Sequence, residues 1–256
     1  MDLVWIILIV CLGGFIMEII DSALGGGFGT VLTPVFLLLG FELILIVPMI
    51  LITEIFTGLI GGHFHNGFGH VDKNVIKWLV PMAALGSIVA VIVSINIPKV
   101  ALNIYIGILI ILLGVWMLIR YVRSRKNKVK LEVKKKNWKL PIIGGIIGFN
   151  KAASGGGFGP IATAGISWAG YDSKKSVGST TLAEGIVCVV GLATYIIMKG
   201  LPVINWSIAI PLWVGAVIAT YPAALIVKKM NTKVLGIVVA LVVTVLGAAM
   251  LLKLIL

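Results

Sequence analysis

The chain has 256 residues, of which 60% are hydrophobic and only 12% charged, with a mean hydropathy of +1.16. That balance excludes an ordinary soluble globule. The net charge of +12 is not a nucleic-acid signature, because +9 of it lies between residues 120 and 139.

Five apolar segments fill the first half, over residues 3–22, 28–39, 43–61, 75–96 and 101–121. Five more follow, over 140–153, 158–169, 176–198, 205–227 and 234–255. A helix crosses the hydrocarbon core with about 20 apolar residues. Residues 78–98, 100–119 and 200–227 hold no Asp, Glu, Lys or Arg, so each of these runs can span. The second segment of each half is only about a dozen residues, too short to cross alone. The first two segments of each half are therefore expected to dip toward the midplane and meet there, with full crossing by 3–22 and 140–153 left open. Trp78, Trp116, Trp138, Trp168, Tyr171 and Trp206 fall near segment ends, as interfacial anchors do. The opening segment lacks a basic start and runs into Glu18 and Asp21, so it reads as a retained helix and not a signal peptide. Cys11 and Cys188 imply no disulfide framework. The expected fold is an all-α polytopic membrane protein of eight to ten segments, multi-pass in a prokaryotic inner membrane.

The chain repeats itself with an offset of 130 residues and no gap. Gly25-Gly26-Gly27-Phe28-Gly29 returns as Gly155-Gly156-Gly157-Phe158-Gly159; Thr33 maps onto Thr163, Glu54 onto Glu184 and Pro81 onto Pro211. Residues 1–121 read as a first repeat, 122–139 as a basic cytoplasmic linker and 140–256 as a second repeat. An odd number of segments per repeat inverts the second relative to the first. Inversion places seventeen Lys and Arg on the linker's side and three opposite, against fourteen and six for a parallel arrangement. The positive-inside rule favours the former. Glycine-broken helices at matching positions of inverted repeats are the pattern of a secondary transporter's binding site.

Irregular backbone survives in hydrocarbon only where protein or a water-filled cavity satisfies it. Helices starting near Phe28 and Phe158 would present amide donors and positive dipole ends, which suit an anion. Close helix packing through small residues is the plainer explanation. Five ionisable residues interrupt the apolar runs: Glu18, Asp21, Glu54, Lys151 and Glu184. Such residues are paired, neutral or lining a cavity. Asp21 and Lys151 correspond under the offset, which suggests that they face each other, with Lys151 the counter-charge of a bound anion or the partner of Asp21 in a structural pair. Asp21, Glu54 and Glu184 are candidate proton carriers, with Thr57 and Thr180 about one helical turn from the two glutamates. Ser22, Asn150, Ser154, Ser179, Thr180 and Thr181 are candidate neutral donors to an oxyanion. His63, His65 and His70 bracket a loop from Phe64 to Asp72, read as interfacial and not as a metal site.

The two glycine pentads, each with a nearby proline (Pro34 and Pro160), the Asp21-Ser22-Ala23-Leu24 lead-in, the Gly40-Phe41 and Gly170-Tyr171 turns and Val177-Gly178-Ser179-Thr180 resemble the TauE/SafE sulfite exporter family across the chain. The resemblance implies a duplicated inner-membrane protein that moves sulfite, sulfoacetate or a related organosulfur anion, driven by protons. No soluble catalytic constellation is present, so no enzyme activity and no cofactor or metal are expected; the partners expected are the anion, protons and lipid, not nucleic acid. Two other readings stay open: a thiol–disulfide electron carrier using Cys11 and Cys188, and a cation transporter using the carboxylates. The mismatch of the cysteines under the offset weighs against the first, and Lys151 against the second.

Overall fold

The computed structural model describes residues 3–123, 137–226 and 232–255, and these form ten α-helices and no strand. The helices are α1 (Leu3–Leu24), α2 (Phe28–Leu38), α3 (Leu43–Gly67), α4 (Lys73–Asn96), α5 (Lys99–Arg123), α6 (Lys139–Ser154), α7 (Phe158–Trp168), α8 (Ser173–Lys199), α9 (Trp206–Ile226) and α10 (Thr232–Ile255). Seven of them are long and apolar enough to cross a membrane: α1, α3, α4, α5, α8, α9 and α10. At 11 residues each, α2 and α7 reach only about 16 Å. Leu8, Leu85, Leu112, Ile146 and Val245 are among many large apolar side chains left exposed, as a lipid-facing surface requires. The chain is a multi-pass membrane protein.

Most of the basic linker, together with Lys228 and Lys229, lies outside the described residues. Two expectations change. Helix α3 runs on to Gly67, so His63 and His65 sit on its last turns and the loop begins only at Phe68. Tyr171 is not an interfacial anchor: it is buried, and its hydroxyl donates to Asn137 Oδ1 at 2.6 Å.

The main packing pairs are α1 with α9, α4 with α6, α3 with α8 and α5 with α10. Shifting by 130 residues converts the first pair into the second and leaves the other two pairs unchanged. The self-matching pairs run antiparallel. Along α3 and α8, Gly58 meets Gly185, Gly62 meets Leu182 and Gly191 meets Leu51. Along α5 and α10, Gly107 meets Leu251, Gly114 meets Thr244 and Gly236 meets Tyr121. Small residues permit this approach, the usual way helices associate where no hydrophobic force drives them together.

Candidate functional site

Helices α1 and α6 end at equivalent glycines, Gly25 at φ +74° and Gly155 at φ +73°. Left-handed geometry of this kind favours glycine. The two breaks lie in direct contact. A β-carbon on Gly26 would fall 2.3 Å from Gly159 Cα, and one on Gly29 would strike the Gly155 carbonyl. Threonines tie each short helix to the opposite break: Thr33 Oγ1 donates to Ser154 O at 2.7 Å, and Thr163 Oγ1 to Gly25 O at 3.3 Å. The glycines thus serve close packing at the centre of the molecule, and on the first-half side Gly25 also lines a cavity.

The helix starts are partly occupied by the chain's own groups. Phe28 N–H donates to Asp21 Oδ1 at 2.7 Å, so the Asp21 carboxylate sits at the α2 amino end, where a bound anion was expected. In the second half, Gly156 N–H donates to Ser154 Oγ at 3.1 Å and Gly157 N–H to Thr30 Oγ1 at 3.0 Å. Phe28 and Phe158 are fully buried.

Lys151, 1% exposed, donates to Glu54 Oε2 and, at 2.8 Å, to Glu184 Oε1. This corrects the expected pairing with Asp21. The 130-residue offset names equivalent positions, and equivalent positions touch only where the helices that carry them pack together. Glu54 and Glu184 are carried by α3 and α8, which pack on each other; Asp21 and Lys151 are carried by α1 and α6, which do not form a main pair.

A cavity of about 210 Å³ opens beside this cluster. It is lined by Glu18, Asp21, Ser22, Gly25, Glu54, Thr57, Thr181, Glu184 and Thr220, together with His65, His70, Phe64 and Phe68. The histidine segment therefore belongs to the site, which its sequence spacing did not reveal. Among the described residues no three His, Cys, Asp or Glu form an arrangement that could hold a metal ion. Ser22 Oγ donates to Glu18 Oε1 at 3.1 Å. Ser179 and Thr180 point elsewhere: Ser179 Oγ accepts from Asp72 N–H at 2.9 Å, and Thr180 Oγ1 accepts from Thr163 Oγ1 at 3.3 Å. Asn150 Oδ1 accepts from the Tyr105 hydroxyl. Cys11 and Cys188 are both free thiols.

A second cavity, of about 470 Å³, lies at the other end of α8. Lys99, Lys199, Lys253, Asn103, Ser94 and Tyr195 are in its wall. Tyr195 is buried and its hydroxyl donates to Ala152 O at 2.9 Å, one residue past Lys151. Tyr195 lies eleven positions beyond Glu184 on α8, about 16 Å along the helix axis. Tyr195 in the wall of this cavity is thus bonded to Ala152, and Lys151 beside Ala152 is bonded to two glutamates in the wall of the other cavity.

The profile of the family described as "Sulfite exporter TauE/SafE" matches residues 10–250. A protein of Bacillus subtilis (strain 168) named "Probable membrane transporter protein YtnM" is 29% identical over 228 residues, covering 88% of this chain and 76% of its own length. No solved structure matches.

Proposed function

The chain belongs to the sulfite exporter TauE/SafE family, and from that premise we propose that it is a proton-coupled secondary transporter of a small sulfur oxyanion such as sulfite or sulfoacetate. The observation that carries the reading is the buried Lys151, held between Glu54 and Glu184 behind an acid-lined cavity, with a second cavity beyond it. An anion meets the carboxylates before it meets the ammonium. A proton on Glu54 or Glu184 loosens that residue's hold on Lys151, and an oxyanion can take its place. Anion entry is thereby linked to proton entry. Compact oxyanions need several donors to replace their water shell, and Lys151, Ser22, Thr57 and Thr181 are within or beside the cavity.

In this reading residues 1–121 and 140–256 are inverted repeats joined by a cytoplasmic linker, 122–139. The antiparallel α3–α8 and α5–α10 pairs support inversion, since a twofold axis in the membrane plane reverses any helix paired with its own mate. The acid-lined cavity then faces the cytoplasm and the lysine-lined one faces out.

Proteoliposome flux of sulfite, sulfoacetate, thiosulfate and sulfate, with and without a pH gradient, tests the proposal. Sulfur-anion flux raised by the gradient is the expected result; flux of none of these anions overturns it. A second reading draws on one observation, that among the described residues four carboxyl groups line the cavity and no lysine does. It makes the substrate a monovalent cation. Flux of a monovalent cation in the absence of any sulfur anion would favour it.

A further inference from the structure

The four cavity carboxyls are not equivalent. Glu54 and Glu184 accept from Lys151, and Asp21 accepts from the Phe28 amide. Glu18 accepts from Ser22 through Oε1, and the Thr57 hydroxyl also acts on its carboxyl group; Oε2 is buried and makes no hydrogen bond of good geometry among the described residues, and the residue is 4% exposed. Leaving an ionised carboxylate oxygen unpaired in such a place is costly, whereas a carboxylic acid there needs less. The group lines a cavity, so protons and water can reach it.

Its electrostatic surroundings point the same way. Asp21 and Glu54 line the same cavity as Glu18. Helix α9, against which α1 packs, offers the polar Thr220 but no charged side chain, and α2 carries no charge at all. Helix α10 carries Lys233 and Lys253, neither of which lines this cavity. Glu184, His65 and His70 also line the cavity, and Lys151 is committed to the two glutamates.

We propose that Glu18 is the proton-loading site of the transporter: it takes up a proton from the acid-lined cavity and delivers it to Glu54, which then releases Lys151. The proposal deepens the proton-coupled reading above and rests on it. On loading, a hydronium ion in the cavity loses one O–H bond as Glu18 gains one; on transfer the Glu18 O–H breaks as an O–H forms on Glu54, which gives up its bond from Lys151, and Glu18 returns to the carboxylate.

Two measurements on the reconstituted full chain test it. Infrared difference spectra across a pH titration should show a protonated-carboxyl band that Glu18→Gln removes; an unchanged band overturns the assignment without reference to any substrate. The ratio of sulfite flux with a pH gradient to flux without one should fall by about tenfold in Glu18→Gln, toward unity. An unchanged ratio overturns the assignment, while a ratio near unity in the unaltered protein overturns proton coupling itself. Should Glu18→Gln not fold, Ser22→Ala removes the hydroxyl that holds Oε1, and a shift in the pH at which the band appears is expected. No shift counts against Glu18.

Discussion

Gly26 and Gly159 meet through backbone alone, so closely that a β-carbon on Gly26 would lie 2.3 Å from the Gly159 α-carbon. Gly26 also holds φ at +128°. Gly26→Ala should therefore destabilise the protein by about 3 kcal/mol or more, combining overpacking with backbone strain. Gly13, with nothing within 4 Å of an added β-carbon, is the control. Gly13→Ala should be neutral or slightly stabilising, since alanine suits a helix better by up to about 1 kcal/mol. Thermal unfolding of the purified protein in detergent compares the two.

Removing the ammonium between Glu54 and Glu184 leaves two buried carboxyl groups facing each other. Lys151→Met should cost about 3–5 kcal/mol, the usual penalty for breaking a buried ion pair from one side. Adding Glu54→Gln and Glu184→Gln should restore much of that stability without restoring flux. Melting temperature and sulfite flux, measured on the same preparations, separate the two effects. Full flux in folded Lys151→Met removes Lys151 from the transport mechanism.

Asp21 fixes the start of α2 through the Phe28 amide. Asp21→Asn keeps an acceptor there and Asp21→Ala does not. The alanine variant should be the less stable of the two by about 1 kcal/mol, the usual worth of a helix cap. Equal melting temperatures would mean that the carboxylate contributes nothing to the α2 terminus.

The two cavities open at opposite ends of α8, which gives a topological expectation. In a background lacking Cys11 and Cys188, which should retain flux if no redox chemistry is involved, Asn103→Cys and Thr181→Cys are introduced singly. A membrane-impermeant thiol reagent should label the first only from outside and the second only from the cytoplasmic face. Labelling of both from one side contradicts the proposed inverted arrangement.

Apolar run length carried most of the fold. The expected segments 28–39 and 158–169 are α2 and α7 to within a residue, because glycine breaks on one side and Gly40 and Gly170 turns on the other mark both boundaries. The end of α3 was less legible, since Gly-Gly-His-Phe-His reads as a loop, yet in a packed helix the glycines serve contact with Thr181 and Leu182. The five buried ionisable residues stood out as well, since charge in an apolar run is conspicuous. Their pairing did not. The 130-residue offset relates Asp21 to Lys151, but contact depends on which helices pack together. The weakly partnered Oε2 of Glu18 had no sequence signal at all; it depends on which side chains α3 and α9 turn toward it.

The ammonium of Lys151 grips one carboxylate from its own half of the chain and one from the other. Every main helix pair also joins one half to the other, so this ion pair is the charged stitch in a seam that is otherwise sewn from glycines and apolar side chains.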